Sequence, residues 1–306
     1  MTANNQGSEA GAERTIPACQ PPDPNPTPAR FTPPDGAVDC HAHVFGPAAR
    51  YAYVADRSYT PPDAPLEAYR AMLATLGLSR GVLVQPSVYG TDNTAMLDGL
   101  AADPGALRGV AVVEGDVADA ELRRMHDLGV RGVRINLLFA GGTGMADLTR
   151  LCARIAPLGW HVQLLIDVST FGDLAATLAE LPVPVVFDHM GHVPVAKAEG
   201  DPGVAAMLRL IAEGRAWAKL SGAYRITGLP RLPYDDVGTH ARAIVAANPE
   251  RVVWASDWPH PSVDILMPND GALLSMLEDW TPDTATRDRI LTTNAWTLYD
   301  FEPPAP

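Results

Sequence analysis

Cysteine is scarce in this chain. Cys19, Cys40 and Cys152 are the only three in 306 residues, too few and too scattered for a disulfide framework or a zinc knuckle, so a reducing compartment is the simpler inference. Lysine is scarcer still, with Lys197 and Lys219 alone. Lysine and arginine together number 23 against 36 acidic residues, a net charge of −13. A field of that sign repels polyanions, which argues against nucleic acid or an acidic membrane surface as partner. Any anionic ligand must be drawn in by a local cluster of arginines. No apolar run reaches membrane-spanning length. The opening stretch, MTANNQGSEAGAERTIPACQ, lacks the basic start and apolar segment of a secretory signal. The expectation is a soluble cytoplasmic protein, a monomer or small homo-oligomer.

Proline and glycine are abundant, and proline crowds the start. Residues 1–36 include PPDPNPTPARFTPPDG and carry no apolar periodicity, which predicts a flexible or extended arm. Residues 303–306 read as a C-terminal tail. Between them, 37–302, eight short apolar, β-branched runs recur: 36–42, 81–87, 107–115, 129–136, 161–167, 183–190, 216–222 and 251–257. Helix-like stretches separate them. In PLEAYRAMLATLG the residues Leu66, Tyr69, Met72, Leu73 and Leu76 fall on one side, and DVADAELRRMHDLG opens on a capping Asp116. Near-continuous apolar strands alternating with helices imply a parallel sheet covered on both faces, and eight such units are what a single-domain α/β fold of the TIM type, a (β/α)8 barrel, requires. The competing doubly wound sheet would carry a glycine-rich phosphate turn after its first strand, where this chain has His-Ala-His.

In a barrel the functional groups stand where the strands run out at their C-terminal ends. Those positions hold His41 and His43, Gln85 and Ser87, Glu114, Arg134 and Asn136, Asp167, His189, Lys219 and Ser221, and Asp257. Burying so many polar groups without a shared mouth would be costly. His41-Ala-His43 alone is a weak signal. With DHMGH closing the sixth strand and ASDWPHP closing the eighth, four ligand-type groups converge from three strands. Strand alternation predicts that Cys40 and Asp188 face the helix layer, away from His41 and His189. His126 and His240 read as helical and structural, and His161 lies at the opposite barrel end. His192 and His260 fall just past strand ends, where they could line the mouth.

VDCHAHVFGP, SYTPPDAP, GVRGVRIN, LGWHV, VVFDHMGH and ASDWPHP resemble, in order and spacing, the 2-pyrone-4,6-dicarboxylate lactonases and their relatives in the amidohydrolase superfamily, over about residues 36–302. The resemblance implies a hydrolytic barrel that opens a small anionic lactone and needs no bound metal in the type enzyme. It assigns Asp257 as the base that activates water and returns the proton to the leaving oxygen. His41, His43 and His189 would polarise the carbonyl, and Tyr59, Ser87, Arg134 and Arg225 would hold the substrate. An arginine is well suited to grip a carboxylate through two parallel hydrogen bonds. Three positions depart from the family pattern: Ala140 stands for a second strand-four arginine, Leu165 for a strand-five tyrosine, and His192 for a basic substrate contact. A lactone with fewer or differently placed anionic groups, such as a sugar-acid lactone or a muconolactone, is therefore expected.

The strand-four end carries Arg134 rather than a lysine able to be carboxylated, which argues against a bridged metal pair. A single Zn²⁺ on His41, His43, His189 and Asp257 is chemically acceptable, though no cofactor is required by the lactonase reading. The alternative is a mononuclear metal-dependent decarboxylase of an aromatic or muconate-type acid. A barrel that binds a small anion without chemistry is the third reading.

Overall fold

Wherever the sequence alternates short apolar runs with amphipathic stretches, the chain forms strands and helices in turn. The structure, a computed structural model, describes residues 15–136 and 145–304. Eight strands run β1 Val38–Ala42, β2 Arg80–Val84, β3 Leu107–Ala111, β4 Val130–Asn136, β5 His161–Leu165, β6 Val185–Phe187, β7 Ala216–Leu220 and β8 Val252–Trp254. Each pairs in parallel with the next. The ring closes just past the strand ends, where Asp257 N–H donates to the His41 carbonyl (2.9 Å) and His43 N–H to that of Trp258 (2.8 Å). The expected (β/α)8 barrel is what forms. Among the described residues no helix is long and apolar enough to cross a membrane.

The helices form as their patterns dictate. Leu66–Leu76 buries Tyr69, Met72, Leu73 and Leu76 and ends at Gly77, whose φ of 74° lets the Leu78 N–H bond back to the Leu73 carbonyl. Asp119–Asp127 starts later than the sequence suggests. Its N-cap is Ala118 with no side-chain bond, so Asp116 is not its cap.

The inside of the barrel is layered. Low down, Val38, Cys40, Val82, Val84, Val110, Val186 and Val253 pack with Tyr299 from the last helix, Thr293–Tyr299. His161 meets the same Tyr299 ring at 5.2 Å and so lies at the floor, as its position at the start of β5 predicts. Above this apolar layer sits a polar one.

Several of residues 15–36 hydrogen-bond to the body of the barrel. Arg30 bonds Ser275 and Asp279, and Thr27 bonds Asn269, the residue that caps the helix Asp270–Trp280. Gly271 is required at that crossing, since a Cβ there would collide with the Thr27 carbonyl.

Candidate functional site

Two local breaks in strand geometry build the site. Between Asp39 and Ala42, β1 advances three residues while β2 advances two, a bulge that overrides alternation. Cys40 therefore joins the interior layer instead of facing the helices, and His41 still projects inward to Lys219 and Asp188. Asp39 turns outward to Tyr69 and to Ser256, tying β1 to β8; burial pushes its carboxyl up to about 6. The second break follows β6, where His189 takes a φ of 48°. Asp188 accordingly keeps the inward parity of Val186. It bonds Arg134 Nε (3.1 Å) and Gln163 Nε2 (3.0 Å), which corrects the expectation that it faces the helix layer.

Asp257 stands at the centre, also left-handed at φ 66°. Its Oδ2 accepts from the Tyr224 hydroxyl (2.6 Å) and Arg225 Nε (2.7 Å), while its buried Oδ1 has no hydrogen-bond partner. That oxygen lies 3.7 Å from Nε2 of both His41 and His43. His189 approaches from the other side, with Nε2 3.7 Å from Oδ2 and Nδ1 2.9 Å from Ser221 Oγ. Burial opposes charge on Asp257, but Arg225 and the surrounding imidazoles hold its carboxyl well below the usual range. Burial, reinforced by Arg134, takes His43 down to about 4, and burial takes His189 down to about 3.

His43 has a defined tautomer, because Nδ1 meets the Val84 carbonyl at 2.7 Å. A carbonyl only accepts, so the proton sits on Nδ1 and Nε2 presents a lone pair.

Above this cluster opens a small cavity of about 60 Å³. Of the catalytic and substrate-binding residues that the resemblance implied, all line it except His41, which lies beneath: His43, Tyr59, Ser87, Arg134, His189, His192, Arg225 and Asp257. Asn136, Leu165, Pro261 and Ser262 complete the wall. Ala140 falls outside the described residues. Glu114 is exposed, and Gln85 is spent on the carbonyls of Gly90 and Asp92. His260 does not line the mouth. It is fully buried behind Asp257, bonded to Tyr224 and Asp270. His126 bonds Trp160 and His240 the Met190 carbonyl, structural roles both.

Sequence reading placed Lys219 at a strand end without assigning it a task, and passed over Gln163 and Tyr224. Lys219 Nζ contacts the Cys40 carbonyl (2.9 Å), Gln163 Oε1 (2.7 Å) and His41 Nδ1 (3.2 Å). The one available signal was a lysine inside an apolar strand of a chain that has only two.

Nε2 of His41, Nε2 of His43 and Oδ1 of Asp257 lie close enough together to hold a divalent ion. The orphaned Oδ1 and the bare His43 nitrogen suit one. His41 fits less simply, because its Nδ1 lies between the Lys219 ammonium (3.2 Å), which only donates, and the Asp188 carboxylate (3.3 Å), which only accepts; with Lys219 donating, the imidazole proton is left on Nε2, where an ion would need a lone pair. In that state the set matches a metal in position and not in protonation.

Residues 38–301 match the amidohydrolase family. The chain is 38% identical over 285 residues, 90% of its length and 93% of the relative's, to a 2-pyrone-4,6-dicarboxylate hydrolase of Comamonas testosteroni. It is 37% identical to a 4-sulfomuconolactone hydrolase of Hydrogenophaga intermedia, over 94% of this chain and 96% of that one. A crystal structure from Pseudomonas putida, named for 2-pyrone-4,6-dicarboxylic acid hydrolysis, superposes with a TM-score of 0.77 at 36% identity, covering 88% of this chain and 99% of its own.

Proposed function

The chain belongs to the amidohydrolase family, and from that premise we propose that it hydrolyses the ring ester of a small anionic lactone. The observation that carries this reading is the partnerless Oδ1 of Asp257, buried beside the His43 ring at the floor of a cavity walled by two arginines. Oδ1 is an acceptor to which a water in the cavity can donate a proton. The water's lone pairs stay free for attack.

Attack by that water oxygen forms the new C–O bond and opens the carbonyl π bond, while Asp257 Oδ1 takes the proton. A carboxylate held far below its normal range is a strong acid once protonated, so it hands the proton on as the ring C–O bond breaks and the leaving oxygen departs. General base catalysis of this kind contributes about 10²–10⁴-fold. Ser221, donating to Nδ1 of His189, would leave Nε2–H of that ring as a donor for the developing oxyanion. The imidazoles thus divide their work: His189 faces the oxyanion, His43 flanks the water, and His41 donates to His43 from below. Arg134, Arg225 and His192 supply the positive wall for the substrate's acidic group, and Tyr59 and Ser87 add polar contacts. No step requires a metal.

The test is a panel of carboxylated and sulfonated lactones followed by proton release, with and without chelator. Turnover that survives chelation and falls at least about 100-fold in Asp257→Asn, with the fold retained, is the expected result. Wild-type turnover in that variant would remove Asp257 from the chemistry. Decarboxylation of an aromatic or muconate-type acid, abolished by chelator, would replace this reading with the decarboxylase.

A further inference from the structure

We infer that Lys219 is the residue that sets the proton on His41 and thereby keeps this cluster from taking up a metal ion. The argument is a count of hydrogens. An ammonium has three, and its three nearest acceptors are Gln163 Oε1 (2.7 Å), the Cys40 carbonyl (2.9 Å) and His41 Nδ1 (3.2 Å), ahead of Asp188 Oδ1 at 3.4 Å. Gln163 is oriented independently, since its Nε2 donates to Asp188 Oδ2 at 3.0 Å, which leaves Oε1 for the lysine. His41 must then accept at Nδ1 and carry its proton on Nε2. That proton has an acceptor waiting, because the Val84 carbonyl has already emptied Nε2 of His43, 3.3 Å away. Lys219, His41, His43 and Val84 form one directional chain with every donor matched.

A divalent ion on His41, His43 and Asp257 would reverse the middle of that chain. Nε2 of His41 would have to lose its proton, and Nδ1 would have to gain one. An acceptor for it exists in Asp188 Oδ1, 3.3 Å from Nδ1 and without a hydrogen bond of its own. Only the ammonium stands in the way, fully buried, 3.4 Å from the same carboxylate oxygen and 5.9 Å from the Tyr299 ring. Lys219 thus does not line the cavity. It is a positioning residue that selects between two states of one imidazole, and the inference holds whatever the substrate.

The test uses zinc alone as probe. Chelator-stripped wild type, Lys219→Met and Lys197→Met are titrated calorimetrically; Lys197 is exposed and controls for the loss of one positive charge. Lys219→Met should bind one zinc at least tenfold more tightly than the other two proteins, and adding His43→Asn should abolish the gain. Equal affinity in all three, or a gain that survives His43→Asn, overturns the inference. Independently, long-range ¹H–¹⁵N spectra of histidine-labelled wild type should show His41 protonated at Nε2, with the signal assigned by its loss in His41→Asn. A proton on Nδ1 overturns the inference even if Lys219→Met does not fold. Neither readout involves turnover, so a failed lactone panel leaves it standing.

Discussion

Arg225 serves two masters. Its Nε holds Asp257 Oδ2 while the side chain lines the cavity, whereas Arg134 lines the same cavity with its Nε on Asp188. Sequence pattern treats the two arginines as equivalent substrate clamps, and geometry separates them. Arg134→Met should raise KM for anionic lactones about 10- to 100-fold with a smaller change in kcat, as the loss of a substrate contact does. Arg225→Met should lower kcat as well. Without the guanidinium the Asp257 carboxyl moves up toward its ordinary range, so the acid limb of the pH–rate profile should shift to higher pH. Matching kinetic effects and superimposable pH profiles for the two variants would show that Arg225 does not tune Asp257.

At the scale of elements, the strands and their order could be read from apolar runs and caps, because a buried parallel strand has few alternatives to a short Val-rich segment. Side-chain facing was less legible. Alternation placed His41 and His43 correctly and misplaced Cys40 and Asp188, since a bulge and a left-handed turn are decided by neighbouring strands and not by the local sequence. The turn after β7 makes the point testable. Gly222 has φ 61°, and a Cβ there would lie 2.9 Å from the His189 ring. Gly222→Ala should cost about 1 kcal/mol of backbone strain, or about 2–4 °C in Tm. By moving the imidazole off Ser221 it should also lower kcat at least about tenfold. Unaltered turnover with the lower Tm would mean that His189 need not stay where Gly222 admits it.

The whole molecule carries its site as a burden on acid stability. His43 is down to about 4, and His161 and His189 down to about 3, while each would titrate near 6.5 in the unfolded chain. Below that value the unfolded state binds more protons, so stability present above pH 6.5 is lost as pH falls toward 4. Asp39 works the other way. Raised to about 6 by burial, it adds stability at low pH that is lost as pH rises from its unfolded value through 6. Three imidazoles outweigh one carboxyl, so Tm should fall steadily between pH 7 and 4.5. A Tm that holds or climbs across this range would mean the buried histidines are not neutral in the fold.

Sequence alone determined the barrel, the strand ends where the polar groups stand, and the three imidazoles that meet around Asp257, because hydrophobic period and residue type are local properties. The tertiary structure decided which way each of those groups is protonated. Hydrogen-bond direction depends on partners such as Val84, Gln163 and Lys219, brought to the site from other strands by the closure of the sheet, and no run of neighbouring residues encodes it.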